Sequence, residues 1–156
     1  AYCNNYFKYL TMDSQRTETG IETFWRENIT SLDEIPEAVL VRKTVFVEEQ
    51  KIPAELEFDE LDLKVPHLIV LLNKVPVGCA RLVYKEGKCY YSRIATLKEC
   101  RGKGIGKVIL EELEKKARSQ GVKEVTLEAQ VTAKGFYEKF GFSAYGDVFV
   151  MDTLDH

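Results

Sequence analysis

The spacing of apolar residues changes period several times along this chain, and each change marks an element. Ile21, Thr23, Phe24 and Trp25 open a strand that the pattern carries to Asn28. Thr30 or Ser31 can then cap a helix whose first turn holds Asp33 and Glu34, with Pro36 tolerated early. Leu32, Ile35, Val39, Arg42 and Phe46 follow at helical intervals, so this helix is expected to run to about Glu49. Pro53 and the acidic stretch from Glu55 to Asp62 break the pattern and read as a loop. His67–Leu72 is a continuous apolar run, and Asn73-Lys74 turns the chain into a second strand, Val75–Tyr84. Lys85-Glu86-Gly87-Lys88 signals a hairpin into a third, Cys89–Thr96.

The period then returns to that of a helix. Ile105, Val108, Ile109, Leu113 and Ala117 share one face, while Lys107, Glu111, Glu112, Lys115 and Lys116 occupy the other. Gly121 is the expected stop, and a short strand from Glu124 to Ala129 follows. Antiparallel strands first, then strand–helix–strand–helix–strand, predict an α/β fold: one domain with a mixed sheet flanked by helices. Residues 20–156 read as that domain. Residues 1–19, polar and aromatic by turns, read as an N-terminal arm, a processed end or a remnant.

Composition narrows the function classes. A net charge of −3 argues against a nucleic-acid surface, which needs clustered excess Lys and Arg. No apolar run approaches the ~20 residues of a membrane span, so the default expectation is a cytoplasmic protein without a membrane partner. Cys3, Cys79, Cys89 and Cys100 fit no Cys-x-x-Cys spacing, and no metal site is read from them. A nucleophilic cysteine would want a histidine base, and only His67 and His156 exist.

The most specific local feature is Arg101-Gly102-Lys103-Gly104-Ile105-Gly106, a glycine-rich turn between the Cys89–Thr96 strand and the following helix. The first N–H groups of a helix lack internal partners, the helix dipole is positive there, and glycines let phosphate oxygens approach the backbone. A P-loop would need a hydroxyl after Lys107, where Val108 stands. A dinucleotide fingerprint would need wider glycine spacing. What remains is Arg-x-x-Gly-x-Gly; by itself it also fits a tight connection with no ligand.

That run resembles the acetyl-CoA pyrophosphate loop of the GNAT N-acetyltransferase superfamily. The resemblance extends to Phe136-Tyr137-Glu138-Lys139-x-Gly141-Phe142, similar to the family's distal motif, and to Ser92-Arg93-Ile94-Ala95-Thr96, similar to its pantetheine-binding strand. Val45-Phe46-Val47-Glu48-Glu49-Gln50, Pro53 and Glu57 to Asp62 look like a small bacterial, uncharacterised subgroup of it. The likeness covers roughly residues 20–150. It implies a mostly antiparallel sheet whose fourth and fifth strands splay, with acetyl-CoA as co-substrate and no metal. The residues it implies for the cofactor are Ile94, Ala95, Thr96, Arg101, Gly102, Lys103, Gly104, Ile105, Gly106, Lys107, Phe136 and Lys139.

Acetyl transfer from a thioester to a primary amine needs an anchored cofactor, a polarised carbonyl, a deprotonated amine and a stabilised thiolate. The resemblance implies that Tyr137 faces the cofactor sulfur as general acid; a tyrosine closing the core beside Phe136 and Phe140 would share its spacing. For the base, Glu49 and Asp62 are the first candidates, within an acidic rim that would attract a cationic amine. A solvated acidic loop is the plainer reading. Arg81 and Arg93 either bind an acidic substrate group or neutralise buried carboxylates. A non-catalytic acyl-CoA sensor and an interaction module are the alternatives to an enzyme. The acceptor is expected to be an amine of a small molecule or peptide, and the homodimerisation common in the superfamily leaves no mark in the sequence.

Overall fold

The computed structural model describes residues 15–16, 20–86, 88–129, 133–145 and 148–151. Among them, eight strands form one sheet: β1 (Gln15–Arg16), β2 (Ile21–Arg26), β3 (His67–Leu72), β4 (Val75–Lys85), β5 (Lys88–Thr96), β6 (Val125–Glu128), β7 (Ser143–Tyr145) and β8 (Val148–Met151). Their order is β1-β2-β3-β4-β5-β6-β8-β7. Neighbours run antiparallel except β5 and β6, which α3 (Ile105–Ser119) joins as a parallel crossover. β1 pairs with β2, so part of the segment read as an arm extends the sheet; the rest of 1–14 and 17–19 lies outside the described residues. The last strand, β8, is antiparallel to β6 on one side and to β7 on the other.

The first helix differs from its expected form. Ser31 does cap it, accepting from the Asp33 N–H at 3.1 Å, but what it caps is a single 3₁₀ turn, Leu32–Glu34. Pro36 then opens α1, Pro36–Arg42, where its missing N–H costs nothing. The helix continues through a π-helical stretch, Lys43–Glu49, and ends where the spacing said it would. The acidic stretch also differs. It folds into α2, Ala54–Glu57, and a 3₁₀ turn, Glu60–Leu63, with Glu57 and Asp62 buried.

Two apolar layers cover the sheet. Ile35, Ala38, Val41 and Val45 pack with Ile69, Leu71 and Cys79 on one face. Ile105, Ile109, Leu113 and Ala117 of α3 pack with Leu68, Leu82, Tyr91 and Leu127 on the other, where Tyr137 of α4 (Lys134–Lys139) joins them.

The sheet opens in its middle. β5 and β6 pair only at Cys89↔Val125, Tyr90↔Thr126 and Tyr91↔Leu127; from Ser92 onward β5 keeps β4 alone. A bulge accompanies the parting. Ala80 faces both Arg93 and Ile94, since Cys79 pairs with Ala95 and Arg81 with Ser92. Arg93 has φ +54°, outside the strand region, which bends β5 at this point.

Candidate active site

The parting of β5 and β6 creates a cleft of about 1210 Å³ reaching both faces of the sheet. One wall is the π-helical end of the first helix: Val45, Phe46, Glu49 and Gln50. Widened π turns re-aim side chains and recur at functional sites. The floor is β5 from Tyr90 to Thr96, and the opposite wall is Leu127, Glu128, Ala129, Ala133, Phe136 and Tyr137. Arg101, Gly102 and Gly106 close the end nearest α3.

The glycine turn follows from local geometry. Gly102 and Gly104 both lie in the left-handed region, at φ +83° and +85°, and a Cβ at either would meet nothing within 4 Å. Gly104 is the N-cap of α3 and offers no side-chain cap. The first N–H groups of that helix are therefore left for water or a ligand. Gly106 is glycine for a different reason: a Cβ there would stand 2.8 Å from Cζ of Phe136. The ring of Phe136 lies over the first turn of α3, so the two sequence motifs meet.

Nine of the residues singled out from sequence line this one cleft: Glu49, Ile94, Ala95, Thr96, Arg101, Gly102, Gly106, Phe136 and Tyr137. Lys103, Gly104 and Lys107 are exposed on the turn and first helical turn beside it, and Lys139 is exposed on α4; none lines the cleft. Ile105 points into the core, so only its backbone can serve a ligand. Phe46 and Gln50, which the sequence offered only as part of the motif at the end of the first helix, also line the cleft on the helix side, as does Ile52, which it did not mark.

Tyr137 is 7 % exposed, with its ring edge-on to Phe136 and Phe142 at 5.2 and 5.9 Å. Burial pushes its phenol up to about 12, so it stays a proton donor through the physiological range. Cys79 is driven the same way by burial, to about 12, which leaves no thiolate to act as a nucleophile.

Asp62 is corrected as a base candidate. Its side chain is fully buried and does not line the cleft. Arg42 donates to it through Nη1 at 2.7 Å and Nη2 at 3.2 Å, Arg81 through Nη1 at 2.8 Å, and the Asp59 N–H at 3.1 Å. Burial alone would raise its carboxyl, but the hydrogen bonds and charge of Arg42 outweigh it and hold it below the carboxylate range. It is a structural anion.

The acidic rim is corrected with it. Glu57 accepts from Arg42 Nε at 2.8 Å and pairs with Arg93 Nε at 2.9 Å. Asp59 pairs with Arg81 at 2.9 Å and Arg93 at 3.4 Å. Three arginines thus neutralise three carboxylates, and of the five acids of this stretch only Glu55 and Glu60 remain as exposed surface charge outside the cluster. Arg81 and Arg93 take the second of their two expected roles. Arg93 also donates to the carbonyls of Leu56 and Glu57, which ties α2 to the bulge in β5.

His67 completes the cluster. Its Nε2 lies 2.7 Å from the carbonyl oxygen of Asp62, which can only accept, so Nε2 carries the proton. Burial lowers its pKa below the ordinary 6.5. The unfolded chain therefore takes up a proton near pH 6.5 that the folded chain refuses, and stability falls as pH drops through that value. Protonation of Asp59 and Asp62, both held below 3.8, removes more stability as pH falls below that. Urea midpoints are expected to decline from pH 7.5 to 5.5, with the decline flattened in His67→Gln; a constant wild-type midpoint over this interval would contradict the assignment.

A family model described as an acetyltransferase (GNAT) domain matches residues 13–156. The chain belongs to the GNAT acetyltransferase family. A Bacillus subtilis (strain 168) protein assigned to the acetyltransferases is 40 % identical over 135 residues, covering 83 % of this chain and 90 % of that one. The uncharacterized N-acetyltransferase YjcF of the same organism is 38 % identical over 121 residues, covering 78 % and 86 %. Among solved structures, an acyl-CoA N-acyltransferase from Pseudomonas aeruginosa superposes with a TM-score of 0.72 at 25 % identity, over 84 % of this chain and 99 % of that one. As a GNAT protein it is an acyltransferase, with the splayed pair of that fold at β5 and β6. Among the described residues no helix is long and apolar enough to cross a membrane.

Proposed function

We propose that this GNAT protein moves the acetyl group of acetyl-CoA to a primary amine by direct attack, with Tyr137 as general acid. The observation that carries the reading is the cleft through the sheet, with an uncapped helix N-terminus at one end and a buried tyrosine on its wall. The N–H groups of Ile105, Gly106 and Lys107 and the guanidinium of Arg101 suit a pyrophosphate. The unpaired edge of β5 from Ser92 to Thr96 suits the amide-bearing pantetheine arm, which needs a strand-like partner. An N–H at Ile94 or Ala95, beside the bulge, suits polarisation of the thioester oxygen.

In this reading the amine nitrogen forms a bond to the carbonyl carbon as the carbon–sulfur bond breaks. The amine proton passes to a carboxylate, or to water held by one, and the leaving thiolate takes a proton from Tyr137. Glu49 and Glu128 are the exposed carboxylates that line the cleft, on its two walls, and with Asp62 buried Glu49 is the base we assign. The test is a panel of primary amines with acetyl-CoA, following free thiol and acetylated product together. Amine-dependent thiol release supports the reading; binding of acetyl-CoA without turnover on any amine would make the protein an acyl-CoA sensor instead.

A further inference from the structure

The two ends of the cleft are joined by a side-chain contact. Arg101 opens the glycine turn, and Glu49 closes the π-helical stretch on the other wall; 52 residues apart in sequence, they meet end to end. Nη1 of Arg101 donates to one Glu49 oxygen at 2.7 Å and Nη2 to the other at 2.9 Å. Nε donates to the Thr96 carbonyl at 3.1 Å. A guanidinium grips an oxyanion bidentately either through its two Nη groups or through Nε and one Nη. The first edge is held by Glu49 and the second is broken by Thr96, so no bidentate edge is left for a phosphate.

Resting on the reading that Arg101 faces the pyrophosphate, we infer that Glu49 is an internal competitor of the cofactor, a carboxylate occupying the phosphate position on Arg101 until CoA displaces it. Both partners are partly exposed, 42 % and 34 % for the side chains, so the exchange needs no opening of the core. While Arg101 holds it, the Glu49 carboxyl stays below the ordinary range through the hydrogen bond and charge of that guanidinium. When a phosphate takes Arg101, Glu49 loses that guanidinium and stands as a free carboxylate at the edge of the cleft.

The sign of the test is unusual for a cleft residue, because removing the group should strengthen binding. Glu49→Gln keeps the shape and removes the charge. An exposed pair contributes little, so at low ionic strength the Kd for free CoA, measured by calorimetry, should fall by about two- to fivefold. The gain should shrink at 0.5 M salt and vanish when Arg101→Met is already present. Pantetheine, which lacks the phosphates, should bind both forms alike. If the wild type binds CoA and Glu49→Gln binds it no more tightly, or more weakly, the competitor role is wrong while the CoA site stands. If the wild type does not bind CoA at all, the pyrophosphate reading falls and this inference with it.

Discussion

Asp62→Ala is expected to destabilise the protein by about 3–5 kcal/mol, because it takes from two buried guanidinium groups the carboxylate they share, leaving Arg42 with Glu57 and Arg81 with Asp59. Arg42, 1 % exposed, and Arg81, 3 % exposed, both donate to the carboxylate that the substitution removes. Small domains have about 5–15 kcal/mol in total, so a loss of this size shows directly in a urea titration. The result also separates two roles for one residue. A catalytic base removed by Ala leaves a stable, inactive protein, whereas the structural anion described here leaves an unstable one. A loss below about 1 kcal/mol would mean that the cluster relaxes and rehydrates, and Asp62 would return as a candidate for chemistry.

Tyr137→Phe is expected to leave folding and CoA binding nearly intact while kcat falls by about 10²-fold, the lower end of what general acid catalysis contributes. The ring keeps its edge-on contacts with Phe136 and Phe142, so only the hydroxyl is lost. The low end applies because a thiolate is already a tolerable leaving group. Steady-state rates with the best amine from the panel, alongside a melting curve, give the comparison. An unchanged kcat would assign Tyr137 to closing the core.

The parts of this architecture legible in the sequence are the local ones. A strand, a turn with Gly102 and Gly104 at positive φ, and a helix with five apolar residues on one face all lie within about thirty residues, where period and backbone chemistry speak directly. The meeting of Gly106 with Phe136 was less open, although the glycine was visible; its cause is a ring thirty residues away. The acidic stretch misled because charge alone says solvent. Its partners, Arg42, Arg81 and Arg93, stand 15 to 36 residues distant, and no period links them. One signal did exist: Arg42 falls on the apolar stripe of the first helix, and a charge in that phase must be buried and paired. The π-helical stretch that turns Phe46, Glu49 and Gln50 into the cleft has no local signature, because it is set by packing against the sheet.

The central claim is that the cleft through the sheet, with its end at Gly102–Gly106, takes acetyl-CoA. A ligand that binds only the folded state raises stability by RT ln(1 + [L]/Kd), about 2.7 kcal/mol at a hundredfold excess over Kd. For a chain of this size that is a rise in Tm of about 5–10 °C. Gly104→Val puts a branched side chain at φ +85°, which the turn cannot hold, and should abolish the rise measured against its own ligand-free Tm. The measurement is therefore the melting temperature of wild type and Gly104→Val with and without millimolar acetyl-CoA. A rise is expected for the wild type alone; a wild-type Tm that acetyl-CoA leaves unchanged would contradict binding in this cleft.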